Sequence, residues 1–65
     1  MRCYIKQYRK QAKWTQQELA DRVNVRRETI IRLESGQYNP SVELAILIAK
    51  TLGVAVEDIF QIDTN

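Results

Sequence analysis

Histidine is missing from the 65-residue sequence, and cysteine occurs once, at Cys3. A single thiol excludes an internal disulfide, and without histidine the usual zinc-ligand sets cannot be assembled, so no metal and no cofactor are expected. Glycine occurs twice and proline once; no glycine-rich phosphate loop, repeat, low-complexity tract or linker is visible. No nucleophile is placed beside a base, and with the other absences this argues against an enzyme. No apolar run is long enough to span a membrane, and no charged-then-apolar leader with a small-residue cleavage site opens the chain. The expectation is a cytoplasmic protein with no membrane partner and no small-molecule ligand.

What is present is unevenly distributed. The formal charge is +2, yet residues 1–32 carry nine Lys or Arg against Glu18, Asp21 and Glu28, a net of +6. Residues 33–65 carry Lys50 alone against Glu34, Glu43, Glu57, Asp58 and Asp63, a net of −4. The first half suits a polyanion; lopsided charge also arises by chance in small domains, and the two readings weigh equally. Residues 1–65 are expected to form a single domain, whose small core would gain from dimerisation.

Helical spacing dominates. Helix one is expected from about Tyr4 to Ala12, with Ile5, Tyr8 and Ala12 on one face. Helix two opens on Thr15-Gln16-Gln17-Glu18, a capping box, and buries Leu19, Ala20 and Val23. Asn24 tolerates the left-handed conformation that a sharp turn requires, and the turn is only Asn24, Val25 and Arg26 long. Helix three is expected from about Arg27 to Ser35, stopped by Gly36. Ser41 caps helix four, which runs to about Leu52 with Gly53 as terminator. A short helix from about Val56 to Phe60 follows, and alternation in Phe60-Gln61-Ile62-Asp63 suggests a strand pairing with Met1 to Tyr4. Two helices joined by so short a turn have the geometry of a DNA-reading helix-turn-helix, a geometry that structural bundles also contain.

From Thr15 to Pro40 the sequence TQQELADRVNVRRETIIRLESGQYNP resembles the Cro and phage-repressor (XRE) helix-turn-helix family. The residues carrying the resemblance are Thr15, Gln16, Leu19 and Ala20; Asn24 and Val25; Ile30, Leu33 and Glu34; Ser35 and Gly36; Asn39, Pro40 and Ser41; and Leu52, Gly53 and Val54. The resemblance implies an all-α, five-helix lambda-repressor-like DNA-binding domain, with a short two-stranded pairing of the termini added by the alternation above. It implies a transcriptional regulator that binds double-stranded operator DNA, usually as a homodimer. Three positions depart from the family pattern. Arg26 stands where a Ser or Thr usually caps the recognition helix, Asn24 replaces the turn glycine, and Trp14 replaces a smaller apolar residue.

At about 100° per residue, helix three presents Arg27, Glu28, Ile31 and Arg32 on one face and Thr29, Ile30 and Leu33 on the other. The first face is expected to contact bases. Arg27 and Arg32 can each take guanine O6 and N7 with a two-pronged guanidinium. Ile31 reads either as a partner for a thymine methyl or as a lone surface apolar residue. Glu28 either accepts from cytosine N4 or steers Arg32 one turn later, with steering the favoured role, and it reads also as an ordinary helix-surface ion pair. Thr15, Gln16, Arg26, Gln37, Tyr38 and Asn39 are expected along the DNA backbone, Gln16 by the family's use of that position against phosphate; Tyr38 reads equally as a loop-packing residue. Arg9 and Glu34 resemble the family's partly buried structural ion pair.

Helix four is apolar beyond one face: Leu44, Ala45, Ile48, Ala49 and Leu52 make a stripe, flanked by Ile46 and Leu47. Ile46 and Leu47, with Phe60 and Ile62 close behind the short last helix, form the expected dimer interface, unless the final residues fold back over it. The reading is a repressor acting on a near-palindromic operator through helix three. The alternative is an antitoxin-type module that neutralises a protein partner and retains a DNA surface, with a restriction-modification controller as a further reading of the binding class.

Overall fold

Among the described residues, four of the five helices stop in the same way, and that repetition shapes the chain. The computed structural model describes residues 2–61, in the order β1 Arg2–Cys3, α1 Ile5–Gln11, α2 Gln16–Arg22, α3 Arg27–Glu34, α4 Val42–Leu52, α5 Val56–Ile59 and β2 Phe60–Gln61. After each of α1 to α4 one residue turns left-handed: Lys13 (φ 64°), Asn24 (58°), Gly36 (78°) and Gly53 (73°). The next N–H then reaches back across the last turn: Trp14 to the Arg9 carbonyl (3.1 Å), Val25 to Ala20 (3.0 Å), Gln37 to Arg32 (3.0 Å) and Val54 to Ala49 (3.0 Å). This Schellman pattern satisfies carbonyls that a helix end would otherwise orphan. Asn24 and the two glycines suit the left-handed region, but Lys13 has neither advantage and holds it at a cost.

Helix starts follow the polar signals in the sequence. The Thr15 hydroxyl accepts from the Glu18 N–H at 3.0 Å while Glu18 Oε1 accepts from the Thr15 N–H at 2.9 Å, a complete capping box. Ser41 Oγ accepts from Leu44 N–H at 3.1 Å. Arg26, at the N-cap of α3, makes no side-chain cap. Observed helix ends fall slightly inside the expected ones: Ser35 is the C-cap of α3, and Phe60 leaves α5 to enter β2.

Every helix sends at least one side chain into a single core, where Ile5, Leu19, Ile30, Leu33, Ile48 and Ile59 are fully buried. Ala12, expected on the inner face of α1, is exposed. Arg9 is buried in α1 instead, held by the polar partners described below, and Tyr8 is half-buried beside it. The ends of the described chain meet in an antiparallel pair, Arg2 opposite Gln61 and Cys3 opposite Phe60, extended by Tyr4 N–H to the Ile59 carbonyl at 2.7 Å. Burial pushes the Cys3 thiol above its ordinary pKa, so it is neutral at pH 7. Met1, Ile62 and Asp63, part of the expected pairing, lie outside the described residues.

Candidate nucleic-acid interface

The four residues between α2 and α3, Val23 to Arg26, fix which side of α3 faces outward. Val25 is half-buried against the core, and its N–H is tied to Ala20, so the chain leaves the turn with Ile30 and Leu33 directed inward. Thr29 is half-buried, while Arg27, Glu28, Ile31 and Arg32 are all exposed. Ile31 retains 39% of its surface. Glu28 and Arg32 form no ion pair, so the steering contact considered for them is not made in this structure. Among the described residues, neither guanidinium of the outer face is paired with a carboxylate.

Beside this face lies the first turn of α2. Gln16 begins the helix, half-buried. An open depression of about 540 Å³ is lined by Arg9, Thr15, Gln16, Gln17 and Arg27, bringing the amino ends of α2 and α3 to one surface. Two of the lining residues, Arg9 and Gln16, belong to one polar network. Arg9 Nε donates to Glu34 Oε2 at 2.7 Å and Arg9 Nη2 to Glu34 Oε1 at 3.2 Å. Arg9 Nη1 donates to the Trp14 carbonyl at 2.8 Å, and Gln16 Nε2 to Glu34 Oε1 at 3.1 Å. The Arg9 and Glu34 side chains retain only 10% and 5% of their surface, so this is a bidentate, largely desolvated pair.

The other expected backbone-contact residues, Thr15, Arg26, Gln37, Tyr38 and Asn39, are exposed. The Thr15 hydroxyl is already committed to its helix cap. Two features go beyond the sequence expectations. Gln16 is bonded to Glu34 across 18 positions, and the Arg22 guanidinium lies 4.2 Å from the centroid of the Trp14 ring, a cation–π contact that pins the α1–α2 link to the end of α2. A Trp followed by an Arg two helical turns later is a signal for the second; nothing local signals the first.

Of the residues expected at a dimer interface, Ile46 and Leu47 keep 43% and 42% of their surface, and Val42, on the same helix, is more exposed still. Leu44, expected in the core stripe, is half-buried. Phe60 is corrected: pairing of β2 with β1 turns its ring into the core, so it is not a surface residue of the chain. Ile62 lies outside the described residues. Among the described residues no helix is long and apolar enough to cross a membrane.

The helix-turn-helix family model matches residues 5–59. The chain belongs to the helix-turn-helix family. It is 54% identical over 63 residues, spanning 97% of this chain and 89% of the relative, to an uncharacterized HTH-type transcriptional regulator of Archaeoglobus fulgidus. A similar protein of Methanothermobacter thermautotrophicus is 53% identical, spanning all of this chain and 96% of the relative. Among solved structures, the master regulator for biofilm formation SinR in complex with DNA is 33% identical with a TM-score of 0.74, over 82% of this chain and 86% of that one. The clp gene regulator ClgR from Corynebacterium glutamicum is 30% identical with a TM-score of 0.77, over 83% of this chain. The present chain spans 57% of the ClgR chain. Family and fold agree with the five-helix reading of the sequence, and a helix-turn-helix protein of this kind is a transcriptional regulator of DNA-binding type, not an enzyme.

Proposed function

We propose that this helix-turn-helix protein is a cytoplasmic repressor that acts as one domain and binds a near-palindromic operator as a homodimer, with α3 in the major groove. The observation that carries the reading is the division of α3. Ile30 and Leu33 are fully buried, while Arg27, Glu28, Ile31 and Arg32 form an exposed face whose arginines have no carboxylate partner among the described residues. Such a face fits base edges, Arg27 and Arg32 as guanine readers and Ile31 against a thymine methyl. Gln16 and Arg26, with Thr15, Gln37, Tyr38 and Asn39, flank it as backbone contacts that set register without reading sequence.

Support for the dimer comes from α4. Ile46 and Leu47 are apolar, roughly two-fifths exposed and adjacent on one helix, where a two-fold axis lets each copy cover the other's residues. A dimer would place two α3 helices in successive major grooves, with half-sites roughly 10 base pairs apart.

Competition binding against a panel of single-base operator variants, after selection from random duplexes, tests the assignment. Arg27→Ala and Arg32→Ala are each expected to relax preference at one symmetric position, by roughly 1–3 kcal/mol. Gln16→Ala is expected to weaken all sequences alike, and Arg26→Ala to make affinity less steeply dependent on salt. Unchanged base preferences in both the Arg27 and Arg32 variants would remove α3 as the reading element.

A further inference from the structure

The bond from Gln16 to Glu34 gives the ion pair a second task. Glu34 sits at the last position of α3, and Gln16 at the first position of α2. The Glu34 carboxylate is fixed from one side by two Arg9 donors, at 2.7 and 3.2 Å. Arg9 is itself anchored through its third nitrogen to the Trp14 carbonyl at 2.8 Å. The acceptor offered to Gln16 is therefore a rigid one. A carboxamide is planar and carries two N–H groups; holding one on a fixed oxygen sets the direction of the other. Gln16 lines the depression together with Arg27 and Gln17.

We infer that Glu34 is a positioning residue for DNA binding: it holds the Gln16 carboxamide so that the second N–H meets a backbone phosphate, and ties that contact to the helix that reads bases. The inference rests on the proposed assignment of Gln16 to the DNA backbone. Because Glu34 belongs to α3, the phosphate contact and the reading face share one rigid reference. A glutamine held in place before binding loses no further side-chain freedom on contact, which is how preorganisation raises affinity.

A thermodynamic cycle on duplex binding tests this, with each protein checked for folding by circular dichroism. Gln16→Ala is expected to weaken binding roughly tenfold in the wild-type background, the scale of one lost charge-assisted hydrogen bond. In an Arg9→Met/Glu34→Leu background, where an apolar pair replaces the ionic one, the same change is expected to cost less than about twofold. The conservative Glu34→Gln is expected to fall between the two. Equal losses in all backgrounds would overturn the positioning role, as would an unchanged affinity for Gln16→Ala in the wild type.

A readout without DNA separates this inference from the functional reading. In the free wild-type protein, the Gln16 side-chain amide protons should exchange with solvent more slowly than those of exposed Gln37 in nuclear magnetic resonance spectra, and should match them in the apolar-pair background. Amide protons as free as those of Gln37 in the wild type would overturn the proposal even if DNA binding holds. Held amide protons in a protein that binds no duplex would overturn the proposal by removing the DNA reading beneath it.

Discussion

Replacing Arg9 by alanine should unfold much of this domain's margin of stability. The Arg9→Ala variant leaves the Glu34 carboxylate, 5% exposed, with Gln16 Nε2 at 3.1 Å as the one hydrogen-bond donor remaining among the described residues. It also removes the side-chain donor from the Trp14 carbonyl. Stranding one partner of a buried ion pair costs about 3–5 kcal/mol, because the charge left behind has lost both water and counter-charge. A 65-residue chain has roughly 3–10 kcal/mol of stability in total at typical per-residue values. In domains of this size about 1 kcal/mol moves Tm by roughly 4–8 °C, so a loss of about 3 kcal/mol lowers Tm by roughly 12–24 °C. Thermal unfolding by circular dichroism, with urea titration for the free energy, reads the effect. The double variant Arg9→Met/Glu34→Leu should recover most of the loss, since two apolar groups leave no stranded charge. A drop of less than about 1 kcal/mol in Arg9→Ala would refute the reasoning and put the pair with solvated surface ion pairs. A variant of wild-type stability but altered base preference would instead assign Arg9 to the DNA interface.

Leu47→Asp, which places a charge on the exposed apolar flank of α4, should give a folded monomer with weakened operator binding in light scattering and binding titrations; a wild-type protein that is monomeric even on DNA would remove the dimer. Lys13→Gly should raise stability by up to about 1 kcal/mol, because relief of the left-handed strain at φ 64° outweighs the added chain entropy of glycine in the unfolded state; a lower Tm would show that the lysine is not strained there. For Glu18, the bond from the Thr15 backbone N–H, then the one with its hydroxyl, holds the carboxyl below its ordinary value of 4.5. That contribution is complete above the unfolded value and is lost as pH falls through the lower folded value, so the lead in Tm of wild type over Glu18→Ala should shrink as pH falls below about 4.5. A lead that is independent of pH would leave the carboxylate charge without a part in the cap.

The starts and stops of the helices were legible because they are set by residues close in sequence. Thr15 with Glu18, Ser41, Asn24, Gly36 and Gly53 each have one conformational or hydrogen-bonding task, and each performs it within a few positions. The outer and inner faces of α3 were legible for the same reason, since helical period alone separates Ile30 and Leu33 from Arg27 and Arg32. Lys13 was not legible: nothing in its chemistry favours a left-handed backbone, and it adopts one because Trp14 must turn back onto Arg9. Ala12 and Phe60 were misplaced because period assigns a face to an element but not the partner that covers it. Arg9 is drawn inside by Glu34 and the Trp14 carbonyl, and Phe60 by pairing with Cys3.

The distribution of polar bonds in the fold bears on what the domain must hold fixed. Away from the terminal strand pair, hydrogen bonds between side chains far apart in sequence converge on Glu34, which joins α1, the start of α2 and the end of α3. The apolar core can tolerate small sliding of packed helices, because burial is non-directional and a helix shifted slightly keeps most of its contact area. A bidentate guanidinium–carboxylate pair tolerates much less, since its two bonds fix distance and orientation together. The directional bonds therefore lie where a slide would matter for recognition, between the depression at the start of α2 and the helix with the reading face. A reader of duplex DNA needs its backbone contacts and base contacts in one register. If stability alone had shaped this site, an apolar pair would serve as well, so the measurable cost of the Arg9→Met/Glu34→Leu exchange should appear in DNA affinity more than in Tm.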